Sequence, residues 1–162
     1  MGKTRVLELL EPEFSVVEEQ GRRVAQQAGD FDPELFTQTV SNSTRAAHLR
    51  AVDHVEVSLF DRGTVDCLAY ARWFGLDETP FRRDVALLRY HENAFFFPFW
   101  PEIYRNDAER RATLEMAVAF EGVLVQVLDE SGYNMVHVPQ GVPEERATFL
   151  REELNSLLGP HQ

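Results

Sequence analysis

Gly2-Lys3-Thr4, directly after Met1, is the stretch on which the reading of this 162-residue chain turns. Lys3 is its only lysine, since 15 of its 16 Lys and Arg residues are arginine. A sequence that otherwise uses arginine for positive charge keeps a lysine in this one place. Gly-Lys-Thr is the tail of the phosphate-binding pattern G-x-x-x-x-G-K-[ST]. There a compact ammonium on a flexible stem reaches phosphate oxygens, a task that a rigid guanidinium fork performs poorly. A G-K-[ST] tripeptide arises at a given position by chance on the order of once in two thousand. The alternative is a frayed N-terminus, so the motif gains weight only from the architecture around it.

That architecture starts from composition. At 44% hydrophobic and 27% charged residues, the chain has the make-up of a soluble globular protein. Its length suits one domain over residues 1–162. No apolar run approaches the roughly 20 residues of a membrane span, and Met1-Gly2-Lys3 opens no signal-peptide segment. The single cysteine, Cys67, excludes an intrachain disulfide and leads us to expect a reducing cytoplasm and a small core residue. A net charge of −11 argues against nucleic-acid binding, which needs a basic surface. It leaves room for a nucleotide, which needs only local positive charge.

Outward from Thr4, helices and short apolar runs alternate. A helix over Thr4 to Leu10 should stop at Pro12, and Phe14 to Val17 reads as a strand. A helix through Arg22 to Gln27 follows. Asp32-Pro33 supplies the N-cap and first position of a longer helix toward Arg50. Val55 to Phe60 reads as the second strand, with helices expected over Thr64 to Phe74 and Phe81 to Tyr90. Ala94 to Phe97 reads as the third, and Phe95, Phe96, Phe97, Phe99 and Trp100 suit core and strand edge better than a stacking platform. A long helix is expected from Asp107 to Ser131, a fourth strand over Asn134 to Val138, and a last helix from Pro143 to Leu158. The alternation predicts an α/β fold, a parallel sheet with helices on both faces. A phosphate-loop fold adds a first, central strand before the glycine-rich loop, and no such run precedes Gly2. Its loss is expected to leave neighbouring strands about 10 Å apart and backbone groups unpaired.

Three segments carry candidate chemistry. Asp61-Arg62-Gly63 ends a buried strand, where open α/β sheets bind ligands. Asp61 there can hold Mg2+ with the Thr4 hydroxyl, and Arg62 can bind phosphoryl oxygens; the alternative is a turn with a surface ion pair. Glu19 and Arg22 follow the first strand in the same way. Glu19 can orient or deprotonate a substrate hydroxyl and Arg22 can hold an anionic group, or both lie on a solvated first helical turn. Arg105, Arg110 and Arg111 follow Pro98-Phe99-Trp100-Pro101 and suit a lid over phosphates, roughly residues 98–112, or else a charged exposed face. The five histidines show no metal-ligand spacing.

Taken together, these residues resemble the NadR-like AAA/ATPase family. The resemblance rests on Gly2-Lys3-Thr4, Glu19-Gln20-Gly21-Arg22, and Phe60-Asp61-Arg62-Gly63 with Asp66 and Tyr70. It continues in Trp100-Pro101-Glu102-Ile103-Tyr104-Arg105, Asp107-Ala108-Glu109-Arg110-Arg111, Gly132-Tyr133, and Val138-Pro139 before the helix start Pro143-Glu144-Glu145-Arg146. Members are similar in fold to small-molecule kinases. The resemblance implies ATP and Mg2+, with Gly2, Lys3 and Thr4 at the phosphates, Asp61 and Arg62 on the metal and phosphate side, and the three arginines in a lid. It implies a P-loop protein, an ATPase or kinase acting on an unidentified small molecule, shortened at its N-terminus within the phosphate loop. The alternative is a non-catalytic binding or interaction remnant that has lost its nucleotide site.

Overall fold

The structure, a computed structural model, describes residues 2–27, 31–52, 57–100 and 114–159. The elements in chain order are α1 (Lys3–Glu8), β1 (Ser15–Val17), α2 (Gln20–Gln27), α3 (Pro33–Val52), β2 (Ser58–Phe60) and α4 (Thr64–Trp73). They continue as α5 (Thr79–Leu87), β3 (Asn93–Phe96), α6 (Leu114–Glu130), β4 (Asn134–His137) and α7 (Pro143–Leu158). Every expected helix and strand has a counterpart. The expected start of the second strand at Val55, the expected start of the long helix at Asp107, and Arg105, Arg110 and Arg111 lie outside the described residues.

Local chemistry sets the boundaries. The Asp32 carboxylate accepts the Glu34 and Leu35 amides at 2.9 and 3.0 Å, capping α3, whose first residue is Pro33. Gly75 and Gly132, at φ 67° and 74°, end α4 and α6 in the left-handed conformation that glycine takes without strain. One helix differs from expectation. The run from Phe81 to Tyr90 begins earlier and ends earlier, because Asp77 accepts the Thr79 amide at 3.0 Å and Pro80 suits a first turn.

All strand pairing is parallel. Ser15, Val16 and Val17 of β1 lie opposite Ser58, Leu59 and Phe60 of β2, and Asn93 to Phe96 of β3 lie opposite Asn134 to His137 of β4. The four strands form two two-stranded sheets, where the sequence reading expected one sheet. Among the described residues β2 and β3 each pair on one edge only, which is why the two halves do not join. Residues of both strands line one cavity of about 1930 Å³.

Alternation along β3 shows that helices cover both faces. Ala94 and Phe96 pack into a core with Val40 of α3, Leu68 of α4 and Val127 of α6. Phe95 and Phe97 pack the other way, into a core with Val6 and Leu10, Val138, and Ala147 and Leu150 of α7. Cys67 is a buried core residue, as expected, and burial pushes its thiol up to about 12. Full burial of Val6 and Leu10 contributes about 1.5–3 kcal/mol each and fixes α1 against α7. Lys3, the first residue of α1, is thereby carried to the cavity's edge. No helix among the described residues is long and apolar enough to cross a membrane.

Candidate functional site

The site begins where β2 ends. The Asp61 amide donates to the Val17 carbonyl at 2.8 Å, so the loop after β2 is tied to the end of β1. Asp61 itself is buried at 6% exposure, and its carboxylate is in contact with the Lys3 ammonium. The tripeptide at the start of α1 and the loop after β2, 58 positions apart in sequence, therefore meet through opposite charges. Gly2 and Thr4 line the same cavity as Lys3.

Arg62 takes φ 71°, a left-handed conformation rare for a residue with a side chain. Its surroundings hold it there. Nε faces Glu19 at 2.7 Å and Nη1 donates to Asp66 Oδ1 at 3.0 Å, while Asp66 Oδ2 accepts the Gly63 amide at 2.8 Å. One carboxylate thus fixes both the guanidinium and the backbone that follows it. Burial alone would lower the Arg62 pKa, but Tyr70, then Glu19 and Asp66, raise it well above its usual value. Gly63 is required by packing: a Cβ there would lie 2.8 Å from the Tyr90 ring.

Glu19 is drawn in from the end of β1. Burial alone would raise its pKa, but the charges of Arg62, then Lys3, then Arg22 outweigh that and hold it below the ordinary carboxylate range. Arg22 is exposed on α2 at the cavity's rim. Tyr70 closes the inner wall, and burial pushes its hydroxyl up to about 12.

Lys3, Asp61, Arg62 and Glu19 are thus brought together, with Gly2, Thr4 and Arg22 on the same cavity. Asp61 and the Thr4 hydroxyl are hard oxygen donors of the kind Mg2+ takes, and the buried Asp61 carboxylate already faces a cation. Among the described residues no group of three His, Cys, Asp or Glu side chains is placed to hold a metal without a ligand's help. Sequence reasoning gave Asp66 no role. Its signal was the spacing Gly63-x-x-Asp66, a carboxylate three residues into a helix where it can reach back to the preceding amide. Arg146 on α7 also lines the cavity; the sequence marks it only as part of a helix start, with no role of its own.

Among curated proteins, none matches the chain. The family model described as AAA domain matches residues 1–146 and supports nucleotide binding of the P-loop type. That match covers most of the chain, with Lys3, Glu19, Asp61 and Arg62 inside it, and the chain belongs to the AAA domain family.

Proposed function

We propose that residues 1–162 form one P-loop domain of the NadR-like, small-molecule-kinase kind, an ATPase or kinase that transfers the terminal phosphoryl group of ATP. The observation that carries the proposal is the Lys3–Asp61 contact at the end of β2. Lys3 would hold phosphate oxygens of ATP, and Asp61 with Thr4 would hold Mg2+, so the half-exposed ammonium and the buried carboxylate would each exchange one partner for another. Neither is left unpaired, which makes the exchange inexpensive. Mg2+ supplies neutralisation of phosphate charge when it is bound. Arg62 faces the phosphoryl side, and Arg105, Arg110 and Arg111 serve as the lid.

Glu19 and Arg22 take the acceptor side. A carboxylate held ionised below its usual range is a weak base near neutrality, so Glu19 orients an acceptor hydroxyl and holds its hydrogen bond.

Calorimetry with Mg-ATP tests the reading, on the chain as given and on a form extended ahead of Gly2 by an apolar strand and a glycine-containing loop. The expected result is binding in the extended form that Lys3→Ala abolishes. Affinity unchanged by Lys3→Ala overturns the role of Lys3. A folded protein indifferent to ATP in both forms makes the chain a non-catalytic interaction domain.

A further inference from the structure

The first turns of α7 place an arginine where a leucine is due. Arg146, Leu150 and Leu154 stand four residues apart on one face, and all three are buried, at 5%, 2% and 6% exposure. The guanidinium lies 4.7 Å over the Phe97 ring, and neither Nε nor Nη1 has a hydrogen-bond partner. Glu145, next to it in sequence, accepts the Val142 amide at 3.3 Å, and in the N-terminal segment that packs on α7 Glu13 pairs with Arg151 and Glu8 with Arg5. Burial lowers the Arg146 pKa with no compensating charge.

The face of Phe97 offsets only part of this burial. Shutting two guanidinium nitrogens away from water without acceptors is costly even after relaxation. The energetics therefore call for an acceptor that the described residues do not supply. The cavity provides the room: Arg146 lines it with Phe95, Phe97 and Leu150, and Lys3 and Thr4 line it too. Phe97 directly follows β3 and Val138 directly follows β4, so Arg146 lies at the carboxyl ends of that strand pair, where α/β folds receive ligands.

We propose that Arg146 anchors an oxyanion site in this cavity, taking a phosphate or carboxylate group of a bound ligand in its guanidinium fork. Nε with Nη2, or Nη1 with Nη2, presents the paired N–H edge that suits two oxygens of one anion. The site stands on burial and missing partners, and does not depend on Lys3 binding nucleotide.

Thermal unfolding of the whole chain and of Arg146→Met tests it, with and without millimolar pyrophosphate, tripolyphosphate or citrate. Without ligand, Arg146→Met is expected to raise Tm by about 3–8 °C, since an uncompensated buried charge is removed and its volume kept. With saturating anion the wild-type chain is expected to gain about 5 °C and Arg146→Met none. A response to the phosphates alone assigns the site to a phosphoryl group, and a response to citrate assigns it to a carboxylate. A lower Tm for ligand-free Arg146→Met, no anion response in the wild type, or an equal response in the variant overturns the proposal. Lys3→Ala separates the two readings. If it abolishes ATP binding while Arg146→Met keeps the full anion response, the nucleotide reading survives and the Arg146 site falls. The reverse pattern leaves the Arg146 site standing and removes the nucleotide role of Lys3.

Discussion

Arg62 and Arg146 line the same cavity and are treated in opposite ways. Arg62 keeps 31% of its side chain exposed and has two carboxylates, Glu19 and Asp66. Arg146 is 5% exposed and has an aromatic ring and, at Nε and Nη1, no acceptor among the described residues. Both guanidiniums have nitrogens shut off from solvent, so stability alone would put carboxylates around each of them. The chain does so at Arg62 only. The difference separates two states of one residue type: Arg62 is compensated before any ligand arrives, whatever it then faces, and Arg146 is a charge held in reserve for something that binds.

The strongest test of that contrast is Arg62→Met. It leaves Glu19 and Asp66 facing each other without their cation and replaces a side chain held in a left-handed backbone. Breaking a buried pair costs about 3–5 kcal/mol, and partial exposure reduces this to about 2–3 kcal/mol. Urea unfolding should show that loss, opposite in sign to the gain expected for Arg146→Met. If both variants shift stability in the same direction, the two arginines do not differ in the way proposed.

Arg62 was legible in the sequence and Arg146 was not, and the reason is physical. Asp61-Arg62-Gly63 sits at the end of a compact apolar run, where backbone topology alone predicts a ligand-facing loop. The helix boundaries were legible for the same kind of reason, because Asp32-Pro33, Gly75 and Gly132 act through their own neighbours. Arg146 stands in Pro143-Glu144-Glu145-Arg146, which looks like a solvated helix start. Only its register with Leu150 and Leu154 turns it inward, and that register matters only once Phe97, far away in sequence, packs over it. Pairing of the strands into two halves was hidden similarly. Period and composition identify strands, but which edges meet is decided by tertiary packing.

The two neighbourhoods also differ in how rigidly they are built, and their glycines sharpen this. A Cβ at Gly63 would meet the Tyr90 ring at 2.8 Å, and that ring is wedged against Phe60 at 5.1 Å and His48 at 4.8 Å. Gly63→Ala should therefore cost about 1–2 kcal/mol in urea unfolding and displace Arg62. A Cβ at Gly141, ahead of α7, would meet Glu145 Oε2 at 2.6 Å, the far end of a flexible, exposed side chain that can swing away. Gly141→Ala should change stability by less than about 0.5 kcal/mol. Comparable losses at both positions would remove the distinction between a fixed loop and an adaptable one.

The smallest expected effect concerns pH. Glu19 has its pKa lowered in the folded chain from 4.5, chiefly by Arg62 once burial is overcome, so its pairing contributes stability fully above that unfolded value. The contribution is lost as pH falls from there through the lower folded value, because protonation ends the pairing. Glu19→Gln should thus flatten the stability profile below about pH 4.5 by about 1 kcal/mol or less and leave its slope near neutrality unchanged. Among the described residues nothing equivalent exists on the other side, where Arg146 has no carboxylate to lose. The acid slope should therefore be the same for Arg146→Met as for the wild type, at a higher overall stability. An acid slope that changes with Arg146→Met and not with Glu19→Gln would mean that the buried cation on α7 has a carboxylate partner after all.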